Sequence, residues 1–179
     1  MQPLSPRLAT RADIPAITAL MARAIDRLQA AFLSPAEIAA SRAIMGLDTR
    51  LIDDGSYFVV ETGRRVVGCG GWSRRATLYG GDHSAALRDS ALLDPATEAA
   101  RIRAMFTDPD FARRGIGRSI LNACEDAARR AGFRRTELMA TLSGEPLYRT
   151  CGYAAIERVS SPASGGVSVP LIRMTRPLD

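Results

Sequence analysis

Lysine is absent from the 179 residues: all 24 basic side chains are arginine, against 19 acidic side chains and one histidine, for a formal charge of +5. In a chain rich in Ala, Arg and Gly this reads as codon bias. The arginines are scattered as pairs (Arg64–Arg65, Arg74–Arg75, Arg113–Arg114, Arg129–Arg130, Arg134–Arg135) with acids between them, so no basic stripe points to nucleic acid. The three cysteines, Cys69, Cys124 and Cys151, are odd in number and far apart, and they form no Cys-x-x-Cys or Cys/His pair. They read as reduced, buried thiols, with no metal site. No apolar run reaches the roughly 18 to 20 residues of a membrane span. The start, from Met1 to Ile14, has no apolar stretch of the secretory kind, so the chain is expected in the cytoplasm. With 46% hydrophobic and 24% charged residues it has an ordinary globular composition, and its length suits one domain over 1–179.

Periodicity places the elements. Leu8 to Thr10 reads as a short strand. Ile14, Ile17, Leu20, Met21, Ile25 and Leu28 recur at three- and four-residue steps, which marks an amphipathic helix. Ser34-Pro35-Ala36-Glu37 combines an N-cap, a first-turn proline and a capping-box glutamate. The helix it starts is expected to end at Gly46. Tyr57–Glu61 and Val66–Trp72 flank Thr62-Gly63-Arg64 as an antiparallel hairpin. Gly68, Gly70 and Gly71 in its second strand suggest a bulge or close backbone packing. Arg75 to Thr97 reads as a long loop. In Arg101–Thr107, Ile102, Ala104 and Phe106 alternate with Arg101, Arg103, Met105 and Thr107, as in a strand. Ile116 to Ala131 is a second amphipathic helix, closed by Gly132. Arg135–Thr141, a short helix from Pro146 to Cys151, and strands Tyr153–Val159 and Val167–Thr175 complete the chain.

The sharpest chemical signal is Asp108-Pro-Asp-Phe-Ala-Arg-Arg-Gly-Ile-Gly-Arg118, set between a strand and an amphipathic helix. Glycines there let the backbone approach an anion, and the first helical turn leaves N–H groups free for a pyrophosphate. Arg113, Arg114 and Arg118 add positive charge. Other phosphate loops fit poorly: Gly-Lys-Ser/Thr is missing, and Ile120 stands where the dinucleotide fingerprint has its third glycine. The order helix, helix, hairpin, strand, Arg-Arg-Gly-Ile-Gly, helix, strand, Pro-Leu-Tyr-Arg-Thr-Cys-Gly-Tyr resembles the GCN5-related N-acetyltransferase (GNAT) superfamily from about Leu8 to Arg176.

That resemblance implies an α/β (α+β) acyl-CoA N-acyltransferase fold. Its sheet would be mixed and mostly antiparallel, with six or seven strands, splayed at the middle pair and flanked by about four helices. It implies acetyl-CoA as co-substrate and direct transfer of acetyl to a primary amine of a small molecule or peptide. Pyrophosphate would be bound by Arg113, Arg114, Gly115, Ile116, Gly117 and Arg118. Met105, Phe106 and Thr107 would pair with the pantetheine arm, and an N–H near Phe106 would help the oxyanion. The family's first loop Arg/Gln falls on Ala112 here, so the guanidinium contact shifts to a neighbouring arginine. Tyr148 matches the family tyrosine beside the CoA sulfur and would protonate the departing thiolate.

No acidic or imidazole side chain stands on the strand before the loop. Glu137, Glu145, Glu98, His83 and an ordered water remain as general-base candidates. Trp72, Tyr79 and the Arg75–Thr97 loop, which also carries Asp82, Arg88, Asp89 and Asp94, either border an acceptor pocket or simply pack. The expected partners are the amine acceptor and a second copy of the chain, with neither nucleic acid nor membrane. The rival reading is a catalytically weak acyl-CoA-binding sensor or interaction domain on the same fold.

Overall fold

Strand β1 (Arg7–Leu8) begins a seven-stranded sheet completed by β2 (Tyr57–Thr62), β3 (Arg65–Ser73), β4 (Ala100–Thr107), β5 (Arg135–Thr141), β6 (Ala154–Ser160) and β7 (Pro170–Pro177). The computed structural model describes residues 4–179; Met1 to Pro3, part of the stretch read as free of a secretory signal, lie outside the described residues. The spatial order is β1-β2-β3-β4-β5-β7-β6. Every neighbouring pair is antiparallel except β4 with β5. Five helices accompany it: α1 (Ile14–Leu28), α2 (Pro35–Ser41), α3 (Arg50–Asp53), α4 (Ile116–Arg130) and α5 (Glu145–Thr150). Among the described residues no helix is long and apolar enough to cross a membrane.

The apolar stripe of α1 buries Ile17, Leu20, Met21, Ala24 and Ile25 in one core layer with Tyr57, Val59 and Cys69. On the opposite side α4 presents Ile116, Ile120, Leu121, Cys124 and Ala128 to Val60, Val67, Leu138 and Ile172. The glycines of β3 let α4 come this close. A Cβ on Gly68 would stand 2.3 Å from Ile116 Cγ2, and one on Gly70 would stand 2.2 Å from Met105 Sδ. Close packing at these glycines is therefore a steric requirement.

Two expectations change. The capping box of α2 is present, with the Glu37 N–H donating to Ser34 Oγ at 3.2 Å and the Ser34 N–H to Glu37 Oε2 at 2.8 Å. The helix nevertheless ends at Ser41, not at Gly46. Past Ala40 the chain tightens into shorter turns, with Ala43 N–H on Ala40 O and Ile44 N–H on Ser41 O. The strand alternation also fails in β4. Gly71 pairs with Arg103 and Cys69 with Phe106, so three steps on β4 oppose two on β3, and Ala104 takes a left-handed φ of 50°. This bulge moves Met105 to the α4 side with Ile102, and Phe106 to the α1 side. Arg103, still opposite to Ile102, is covered by the long loop, where it is 3% exposed and donates to Asp48 Oδ2 at 3.3 Å and Gly80 O at 2.9 Å. Both faces of β4 are covered, so an arginine in an alternating strand is here the buried anchor of the Arg75–Thr97 loop.

Cys69 and Cys124 are fully buried, whereas Cys151 is partly exposed, and all three are free. Burial pushes the Cys69 thiol up to about 12, and it raises Cys124 and Cys151 as well. The native protein should therefore react with iodoacetamide at Cys151 alone, and unfolded protein at all three. Intact-mass spectrometry reads the result; two fast native alkylations would refute the burial described.

Candidate active site

The cleft originates in a short ladder. β4 and β5 pair only at Ala100↔Thr136 and Arg101↔Glu137, where the Arg101 guanidinium also bonds the Glu137 carboxylate. Beyond that seam the strands diverge around a cavity of about 660 Å³. Its walls come from both strands, the end of α1, the loop ahead of β4, the start of α4, and α5.

At one end lies the Arg-Arg-Gly-Ile-Gly loop. Arg113 and Gly115 have φ of 66° and 80°, left-handed residues that turn successive amides toward one side as an anion-binding nest does. The first main-chain bond of α4 is donated by Ser119 to Gly115 O at 3.0 Å. The Ile116, Gly117 and Arg118 N–H groups are thus left without helical partners at the positive end of a 15-residue helix. No atom lies within 4 Å of a Cβ built on Gly115, while one on Gly117 would meet Leu147 Cδ2 at 2.8 Å.

Of the residues singled out from sequence, Met105, Phe106, Thr107, Arg113, Gly115, Ile116, Gly117, Arg118 and Tyr148 all line this one cavity. Arg114 does not: its guanidinium lies 5.0 Å from the centre of the Phe111 ring. Tyr148, on α5, is 8% exposed and meets Tyr153 edge-on at 5.8 Å. The Tyr153 hydroxyl donates to Glu125 Oε1 at 2.9 Å and shares a 2.8 Å bond with Thr136 Oγ1. This fixes the platform against which the Tyr148 ring rests. Burial, with no hydrogen-bond partner for its hydroxyl among the described residues, raises the Tyr148 phenol, which keeps its proton throughout the neutral range.

The four side chains considered as bases are occupied elsewhere. Glu137 is held by Arg101 and, at 2.7 Å, by Arg173. Glu145 pairs with Arg149 at 2.7 Å. Glu98 Oε2 accepts the Asp94 N–H at 2.7 Å, and His83 Nε2–H donates to Arg42 O at 2.7 Å. None of them lines the cavity. From the long loop Leu78, Tyr79 and Gly80 reach it, whereas Trp72 packs edge-on to Phe133 in the core.

Sequence reasoning missed Gln29, Phe32, Ile44 and Met45, which form the wall at the α1 end. The signal for Gln29 was available. It stands four residues after Ile25, at the C-cap of α1 and in line with its apolar stripe, a polar group where a core residue belongs.

A model of the acetyltransferase (GNAT) family matches residues 21–153. No match is found among curated proteins. Among solved structures, a GCN5-related N-acetyltransferase from Rhodopseudomonas palustris is similar, with TM-score 0.70 and 17% identity over 99% of this chain and 98% of its own. The ribosomal-protein-alanine N-acetyltransferase of Brucella melitensis has TM-score 0.66 and 18% identity over 98% and 100% of the two chains. The yncA protein of Salmonella typhimurium, crystallised with its cofactor acetyl-CoA, has TM-score 0.63 and 18% identity over 98% and 94%. At these identities the likeness is one of fold, while the family pattern extends over well more than half of the sequence and takes in both the glycine loop and the Tyr148 segment. The chain belongs to the acetyltransferase (GNAT) family.

Proposed function

We propose that the protein transfers an acetyl group from acetyl-CoA directly to a primary amine of a small molecule or peptide. The observation that carries this reading is a convergence: the free amides at the start of α4 and the buried, protonated Tyr148 open onto one cavity. Acetyl-CoA suits the residues present. The left-handed Arg113 and Gly115, with Arg118 beside them, form a cradle for a pyrophosphate. Beyond Arg101, β4 has lost its β5 partner, so main-chain groups of Met105 to Thr107 are free to pair with an extended amide-bearing arm and to polarise a carbonyl. The bound thioester supplies an activated acyl group. Tyr148 holds the proton that the departing sulfur needs. Three free thiols suit the reducing cytoplasm.

Tyr148→Phe keeps the ring and its contact with Tyr153 but removes the proton. Turnover should fall about 10²-fold with little change in acetyl-CoA affinity. Steady-state CoA release and calorimetric titration read the two effects separately. Equal turnover would remove Tyr148 from the chemistry. The second reading, a weakly catalytic acyl-CoA sensor, is favoured by the lack of any carboxylate or imidazole among the cavity residues. Multiple-turnover CoA release with an amine excludes it.

A further inference from the structure

The wall of the cavity is unusual in its charge. Among the described residues no Asp, Glu or His contributes to it, and the only charged ones, Arg113 and Arg118, sit at the glycine-loop end. The opposite end is built from Phe32, Ile44, Met45, Tyr79 and Leu171, most of them joined in one apolar cluster with Leu33 and Ala40. One buried side-chain amide interrupts it. Gln29, 2% exposed, lines the cavity, and its Oε1 is buried without a hydrogen-bond partner among the described residues.

The orientation of that amide is fixed by its neighbours. Ser41 Oγ gives its single proton to Ile38 O at 2.7 Å, so toward Gln29 it can only accept, and it does so from Nε2 at 3.2 Å. Met45 Sδ, 3.5 Å from the same nitrogen, is also an acceptor. The nitrogen must face these two atoms, which leaves the carbonyl oxygen as the unsatisfied side. That acceptor lies just behind the cavity surface, so a ligand that brings an N–H meets it once the Gln29 carbonyl turns toward the cavity the residue already lines.

We infer that the acceptor is a primary amine on an apolar body, such as an arylalkylamine or arylamine, held by Gln29 Oε1 as acceptor of an amine N–H. The inference rests on the acetyl-transfer reading. Polycationic amines would bring charges for which the wall has no carboxylate, and an amino acid would bring a carboxylate to an end without a cation. The same wall accounts for the missing base. A low-dielectric cleft disfavours an ammonium ion, so the amine enters neutral with its lone pair available, having left its proton in solvent. Attack of that lone pair on the thioester carbonyl forms the C–N bond and breaks the C–S bond. The thiolate takes the Tyr148 proton, the amine's surplus proton leaves to solvent, and the Tyr148 phenolate takes a proton back from solvent.

The test measures CoA release by chromatography from the full-length protein at saturating acetyl-CoA, with 2-phenylethylamine, 4-methylaniline, spermidine and glycine as acceptors. The two apolar amines should exceed the others at least tenfold in kcat/KM. With pH, kcat/KM should rise for each up to the pKa of its own amino group, so the inflection moves with the acceptor. Gln29→Leu should raise the KM for 2-phenylethylamine about tenfold at unchanged KM for acetyl-CoA. Gln29→Glu should improve spermidine relative to 2-phenylethylamine. Preference for spermidine or glycine, or an inflection fixed at one pH for both apolar amines, overturns the inference and leaves acetyl transfer standing. Release with no acceptor, from protein that acetyl-CoA stabilises against heat, overturns the transfer reading and the inference with it.

Discussion

Gly115→Asp is expected to weaken acetyl-CoA binding by about 10²-fold or more, because it sets a carboxylate where a pyrophosphate would sit and like charges at close range cost several kcal/mol. The Gly115 Cβ direction is open, with nothing within 4 Å, and its φ is 80°. The new side chain therefore meets ligand space and not protein. Backbone strain at a left-handed residue adds roughly 1–2 kcal/mol to the folding cost, and a control must carry the same strain away from the loop. Gly63, in the turn between β2 and β3, supplies it: its φ is 60° and a Cβ there also meets nothing. Gly63→Asp should melt at a temperature close to that of Gly115→Asp and bind acetyl-CoA as the wild type does. Isothermal titration of both variants decides the matter, and undiminished binding by Gly115→Asp would reject the glycine loop as the pyrophosphate site.

The second large effect is on stability. Arg103 and Asp48 form an ion pair whose side chains are 2% and 4% exposed, and desolvation lowers the Arg103 pKa against the pull of Asp48. Arg103→Met should cost about 3–5 kcal/mol, since it leaves a buried carboxylate with weaker compensation and strips donors from Thr77 O and Gly80 O. Thermal melting should fall by roughly 10 °C. Arg103→Met combined with Asp48→Leu should recover much of the loss, because it removes the stranded charge as well. A single variant that melts with the wild type would show that Arg88 and Arg50, which also approach Asp48 at 3.2 and 3.5 Å, hold it unaided.

The elements legible in the sequence were those with uninterrupted periodicity. The apolar stripe of α4, the hairpin of β2 and β3, and the glycine loop between β4 and α4 are local patterns, and they stand where the residues put them. What escaped reading depends on partners distant in sequence. Arg103 looks like an outward strand residue until the long loop and Asp48, 55 positions away, fold over its face of β4. Glu137 reads as a general-base candidate, yet it is 6% exposed and held between Arg101 and Arg173. The four-residue α3 is too short for any period to register. At the site, Tyr148 and the loop carried a motif, whereas Gln29 carried only a polar interruption in an apolar stripe, whose meaning appears once Ser41 and Met45 are folded against it.

The two-rung seam between β4 and β5 also bears on solubility. A strand whose backbone groups lack a neighbour is a template for another chain, and opening a sheet at its centre creates two such edges in addition to the outer pair. The outer edges are blunted in familiar ways. β1 is only two residues long, and β6 carries Glu157 and Arg158 beside a register break between Ala155 and Glu157. Along the opened part of the inner strands, β4 runs from Ile102 to Thr107 and β5 from Leu138 to Thr141, and the one charged side chain there, Arg103, is buried in its pair with Asp48 and turns no charge toward a foreign strand. Their protection is enclosure, since the end of α1, the Leu78–Gly80 segment and α5 wall the gap between them. Whatever loosens that enclosure, the Arg103 anchor included, uncovers an adhesive sheet edge before the sheet itself has unfolded.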